Sequence, residues 1–175
     1  MKRSVVIAVG FVVCMAGPGL RGQATYPFIS ELKQNYTIVK NNHIRMAEKM
    51  PEEHYGFKPV AEIRTFSEAV AHVADSQARS CSLVNGEQKV VNATSKTTKA
   101  DLVAALKESY ALCDTAFDAL TDAGASQMVR LGQSSRERSK LGLLAGMISH
   151  SNEQYGYMAV YLRLKGLVPP SSGSQ

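Results

Sequence analysis

The chain has 175 residues, with 20 Lys and Arg against 15 Asp and Glu, a formal charge of +5. The surplus gathers at the start: Lys2, Arg3 and Arg21 fall in the first 24 residues, which hold no acid, so the other 151 carry only +2. A nearly balanced stretch of that length suits one well-filled domain rather than two and makes no electrostatic case for nucleic acid.

The opening MKRSVVIAVGFVVCMAGPGLRGQA has two basic residues, an apolar run from Val5 to Ala16, a break at Gly17-Pro18-Gly19, and small residues at Gly22 and Ala24. This three-part pattern predicts an export signal over 1–24, cleaved to leave a periplasmic or extracellular protein. The run is well short of the ~20 residues of a membrane span, and no later segment is apolar enough, so stable membrane insertion is not expected. Val13 precedes Cys14 where lipid attachment would need a small residue. The expected division is 1–24 signal, 25–170 folded domain and 171–175 flexible tail.

From Tyr26 to Met50, Phe28, Leu32, Tyr36, Val39, Met46 and Met50 step by three or four, which predicts a first helix with a narrow buried face. His43 lies on that stripe and reads as a core histidine held by hydrogen bonds. Pro51 stops the helix, and Gly56 and Pro59 mark an irregular link. Thr65-Phe66-Ser67-Glu68 has capping-box spacing and opens a second helix to about Val84, with Phe66, Val70, Val73, Gln77, Cys81 and Val84 as its stripe. His72 lies about 120° off that stripe, beside the small Ala69 and Ser76.

Residues 85–98 have no helical period and read as a loop or crossover. Asn92-Ala93-Thr94 matches a glycosylation acceptor, which has meaning only in a eukaryotic secretory route. Thr98 opens a third helix with Leu102, Leu106, Ser109, Cys113, Phe117 and Leu120 as its stripe, and Gly124 is the expected stop. Residues 123–134 read as loop, and Ser134-Ser135-Arg136-Glu137 as the box that caps a fourth helix. Gly166, Pro169 and Pro170 end it.

Four amphipathic helices with few strand signals predict an all-α four-helix bundle. The roughly 14-residue link after the second helix exceeds the usual antiparallel connection and suits a crossover, giving up-down-down-up order with helices two and three parallel. Cys81 and Cys113 then sit at the same height on buried stripes. A disulfide between them is expected in an exported chain, with two neighbouring reduced thiols as the alternative.

The fourth helix carries two lines. Leu141, Leu144, Ala145, Ile148, Tyr155, Ala159 and Leu162 read as the core stripe. A second line, Leu143, Met147, His150, Gln154, Met158 and Tyr161, sets one imidazole and one carboxamide a turn apart among apolar residues. Burying both without partners costs roughly 1–3 kcal/mol each, so a metal ion, a ligand or hydrogen bonds must satisfy them.

The stretch from His150 to Gly166 with Val168-Pro169-Pro170, together with His72-Val-Ala-Asp75, resembles the DinB-like family of four-helix proteins over essentially residues 26–170. The resemblance implies a divalent metal held by one histidine of helix two and two of helix four, frequent homodimers, and relatives acting as thiol-dependent transferases or isomerases. His72 and His150 match the first two ligand positions, whereas Gln154 stands where the family commonly has the third histidine. A carboxamide oxygen is a poorer donor to zinc or nickel than imidazole, so a site of His72, His150 and Gln154 would bind weakly or have lost its metal. His43 is a further candidate nitrogen, Asp75 and Glu153 are candidates for orienting or proton-transfer roles, and Tyr157 and Tyr161 for lining a pocket or meeting a dimer partner.

Two functions compete on these grounds. One is a metal-dependent thiol transferase or hydrolase acting on a small molecule of unknown identity. The other is a non-catalytic bundle that binds a ligand or partner, favoured by Gln154 and by the lack of a Gly-rich phosphate loop, an H-E-x-x-H motif or a free nucleophilic cysteine. A membrane-surface helix is the weakest reading, because no helix sets a lysine-rich face opposite a bulky aromatic one.

Overall fold

A computed structural model describes residues 27–173; the expected export signal lies outside the described residues. Its main helices are α1 (Pro27–Lys49), α2 (Phe66–Val84), α3 (Lys99–Asp118) and, after a short α4 (Asp122–Ala125), α5 (Lys140–Leu164). Among the described residues no helix is long and apolar enough to cross a membrane. Between α4 and α5 a two-stranded antiparallel hairpin pairs β1 (Met128–Arg130) with β2 (Glu137–Ser139).

The helix starts follow from side-chain chemistry. Thr65 accepts the Glu68 amide while the Glu68 carboxylate accepts the Thr65 amide at 2.7 Å, a complete capping box for α2. Thr98 accepts the Asp101 amide at the start of α3. The C-terminal end of α1 is satisfied from a distance, because Lys99 Nζ donates to the carbonyls of Glu48 and Met50 at 2.8 Å each.

Contacts advance together along α2 and α3, from Gln77 against Tyr110 to Cys81 against Cys113, so these helices lie side by side in the same direction. They run oppositely along α1 and α3, where Lys33 meets Asp118 and Glu48 meets Lys107, and along α2 and α5, where His72 meets His150 and Arg64 meets Tyr161. Cys81 and Cys113 form a disulfide with Cα atoms 4.9 Å apart. One continuous core fills the bundle, with Tyr36 stacked on Phe117, ring centroids 4.0 Å apart.

The structure corrects the sequence at three places. α3 ends at Asp118 rather than running to Gly124, because the Thr121 hydroxyl accepts the Gly124 amide and starts α4. Ser134 to Glu137 do not cap the last helix. Ser134 turns the hairpin tip by donating to the Leu131 carbonyl, Glu137 pairs with Arg130 in the strands, and the cap is Ser139, whose hydroxyl accepts the Gly142 amide. On α5 the burial is shared differently: Leu143, Met147, Gln154, Met158 and Tyr161 are buried, while Leu141, Ala145, Tyr155 and Ala159 of the expected core stripe are only partly covered.

The final segment turns through a 3-10 helix at Pro170–Ser172. Tyr155 and Arg163 hydrogen-bond to Ser171 and Ser172 there, drawing the end of the chain against α5.

Candidate functional site

α2 and α5 cross antiparallel, and that geometry sets residue 72 opposite residue 150. The Nε2 atoms of His72 and His150 lie 3.1 Å apart, with the rings at 70° to one another. Both rings are half-buried. One N–H···N hydrogen bond accounts for the contact when both rings are neutral, one donating and one accepting.

Several causes favour the neutral form. His72 is pushed below the usual histidine range first by desolvation, then by the positive charges of Arg64, His150 and Arg79, against a smaller opposing effect of Asp75. His150 is lowered by desolvation and Arg64, with Glu153 pulling the other way. Neutral imidazole is the state that donates a lone pair to a metal.

Each ring lines a cleft of its own, and a third cleft, which neither ring lines, holds Gln154. His72 lines one of about 600 Å³ with Arg64, Asp75 and Arg79. His150 lines a smaller one of about 240 Å³ with Arg79 and Arg138. Gln154, one turn beyond His150 and only 7% exposed, lines a third of about 640 Å³ with Arg64, Tyr157 and Tyr161.

The donor set suits a divalent ion in part. Zinc–nitrogen bonds of 2.0–2.1 Å at the tetrahedral angle set two ring nitrogens about 3.3 Å apart, a few tenths of an ångström wider than found here. Among the described residues, however, no three His, Cys, Asp or Glu side chains cluster to hold a metal. Any third protein donor at the pair must therefore come from a neutral group such as the Gln154 carboxamide.

The remaining sequence candidates find other work. His43 does not join the pair in a three-histidine cluster. It is fully buried, with Nδ1 2.7 Å from the Tyr110 hydroxyl. That hydroxyl accepts from Gln77 Nε2 at 3.1 Å, and Gln77 Nε2 also donates to Ser151 at 2.6 Å. His43 Nε2, by contrast, is buried with no partner among the described residues. Burial, with a lesser push from His150 and against a hydrogen bond to the Val39 backbone, holds the His43 pKa down at about 3.

Asp75 is taken up by the crossover. Its carboxylate accepts from the Ala93 and Thr94 amides and from the Thr94 hydroxyl. Glu153 is exposed and accepts the Tyr157 hydroxyl, which lies on the outer face. Tyr161 is buried and donates to the Arg64 carbonyl at 2.7 Å, tying the link before α2 to α5 beside the Gln154 cleft. Sequence reasoning missed Arg64, Arg79 and Arg138 as residues of these clefts, because charged side chains off an apolar stripe look like ordinary solvated surface.

Residues 38–158 match the DinB superfamily. The fold is similar to that of a DinB-like protein from Bacillus cereus, with TM-score 0.68 and 18% identity over 84% of this chain and 97% of that one. It is also similar to a DinB-like protein from Bacillus subtilis, with TM-score 0.63 and 20% identity over 78% and 92%. A mycothiol-dependent maleylpyruvate isomerase, in a histidine-to-alanine variant, aligns with TM-score 0.58 and 17% identity over 77% of this chain and 60% of that one. No curated protein matches significantly. With well over half its length matched, the chain belongs to the DinB superfamily.

Proposed function

We propose that this is an exported DinB-superfamily bundle in which His72 and His150, with Gln154 as a third and weaker donor, hold a divalent ion of the zinc or nickel kind. The site then serves a metal-dependent thiol transfer or hydrolysis on a small molecule. The observation that carries the reading is the approach of two imidazole nitrogens to 3.1 Å, each ring lining its own cleft. Such an ion would polarise a substrate oxygen or sulfur at a coordination position left open by the protein. The chain's own part is to keep both imidazoles deprotonated, through burial and the nearby arginines, and to leave the clefts beside them open. Similarity to a protein named as a mycothiol-dependent isomerase adds the thiol-dependent class to the candidates.

Export is supported by the signal pattern of residues 1–24 and by the Cys81–Cys113 disulfide, which persists best in an oxidising compartment. A homodimer is part of the same reading. Tyr157, Val160 and Leu164, all more than half exposed, form an apolar strip along α5 that a second copy could cover.

The second reading is a non-catalytic ligand- or partner-binding bundle that has lost its metal. Gln154 in place of a third imidazole favours it, as does the ability of the two rings to satisfy one another by a hydrogen bond. Metal analysis of protein purified without chelator, with thermal unfolding in added zinc or nickel, separates the two. The metal reading expects bound ion and a raised Tm, both lost in the His72→Ala, His150→Ala double variant. Equal melting with and without metal supports the second reading.

A further inference from the structure

The smaller cleft beside His150 differs from its neighbours in charge. It is lined by Ser76, Arg79 and Ser80 from α2, Arg138 from β2, and His150 with Leu143 and Met147 from α5, with no acidic residue among them. The cleft that His72 lines, by contrast, mixes Lys58, Arg64 and Arg79 with Glu62, Glu68 and Asp75. Among the described residues neither Arg79 nor Arg138 has an acidic partner within ion-pair distance.

Arg138, though exposed, is held at its tip. Its Nη2 donates to the Gly142 carbonyl at 2.8 Å, and the guanidinium lies along the first turns of α5 over Gly142 and Gly146. A Cβ at residue 146 would stand 3.2 and 3.3 Å from its two terminal nitrogens, and one at residue 142 would press on Ser139 Oγ at 3.0 Å. Two glycines in one helix cost about 1 kcal/mol each relative to alanine. Here they open a trough in which a planar side chain lies flat, one turn before His150. Fixing a guanidinium in this way lowers the entropy lost when it grips an oxyanion.

We propose that Arg138, laid in the Gly142–Gly146 trough, and Arg79 across the cleft form an oxyanion subsite. It takes a carboxylate or phosphate group of a small molecule whose remainder reaches the His72–His150 pair. At about 240 Å³ the cleft holds a headgroup rather than a whole ligand of ordinary size. This deepens the proposed function by naming its substrate as a small acid, and it rests on that reading only for what happens at the imidazoles. The grip on the anion belongs to the arginines and serines.

The test is titration of the folded, metal-free protein with inorganic phosphate and, separately, with malonate at constant ionic strength, following the Arg138 Nε–H and His150 ring resonances. Saturable shifts are expected with at least one probe, and the tighter of the two identifies the headgroup. Arg138→Gln and Arg79→Gln should each weaken binding by about tenfold, the range of a lost charge-assisted pair. Gly146→Ala should keep or raise the Tm by helix propensity while weakening binding severalfold, because its Cβ displaces the guanidinium. Retained anion binding in the His72→Ala, His150→Ala variant upholds the subsite even if the metal reading fails. The absence of saturable shifts with both probes, or unchanged affinity in Gly146→Ala and Arg138→Gln, overturns the proposal.

Discussion

Asp75 and Thr94 are joined twice, backbone amide and side-chain hydroxyl both donating to the same carboxylate oxygen. With the Ala93 amide on the other oxygen, three donors converge on one residue of α2. They fix the turn that follows Asn92, whose φ of 50° is the left-handed conformation asparagine tolerates better than most. The crossover is thereby pinned one turn beyond His72 by the residue that the sequence offers as a candidate for orienting or proton-transfer roles.

Replacing Asp75 with Ala should lower stability by about 1–3 kcal/mol, since three donors lose one charged acceptor and two of them are backbone amides. Urea unfolding measures this. Any stabilisation by zinc should survive in the variant, because the carboxylate is taken up by the Ala93 and Thr94 donors. Loss of the zinc response with little change in stability would restore Asp75 to the site.

Reduction of the Cys81–Cys113 bridge, or the Cys81→Ala, Cys113→Ala variant, should cost about 3–4 kcal/mol on the chain-entropy relation for a loop of this length. The sequence separation is 32. Thiol titration of the unfolded, unreduced protein lacking residues 1–24 should find no free sulfhydryl; two would remove the bridge.

A fall in stability with acidity should come from His43. Its folded pKa is about 3 against an ordinary 6.5, so the unfolded chain binds the proton more readily. The stabilisation from a neutral ring is complete above pH 6.5 and is lost as the pH drops from there through about 3, amounting to up to roughly 5 kcal/mol. His72 and His150, also lowered, act in the same direction. Urea unfolding across this range should show a shallower pH slope for His43→Gln than for the parent. An equal slope would assign the acid sensitivity elsewhere.

The sequence revealed the helices where apolar spacing and a hydroxyl cap coincided, as at Thr65 and Thr98, and it revealed the disulfide because both cysteines lie at the same height on buried stripes. His72 and His150 could be paired from the resemblance and from an imidazole set in an apolar line. The hairpin was hidden, since three-residue strands give no alternation to read and Ser134 imitates a helix cap. Gln77, Tyr110 and Ser151 were hidden for a different reason. Gln77 sits at a regular stripe position and Ser151 between two better-marked residues, so only the packing of α2, α3 and α5 shows that they hydrogen-bond across the core.

Gln154→His should convert a weak third donor into a strong one. If the metal reading holds, zinc affinity should rise by at least about tenfold, the scale on which donor identity controls affinity, and the zinc-dependent rise in Tm should grow with it. Competition with a colorimetric chelator reads the change directly. An unchanged affinity would place residue 154 outside the coordination sphere.

The proposed function requires one ion between the imidazoles of α2 and α5. Anomalous diffraction at the zinc and nickel edges, from crystals grown without chelator, tests it most directly. A single peak is expected about 2.0–2.1 Å from Nε2 of both His72 and His150, absent from the double alanine variant. Crystals supplied with either metal that show no peak there, with the two rings still joined nitrogen to nitrogen, would contradict it.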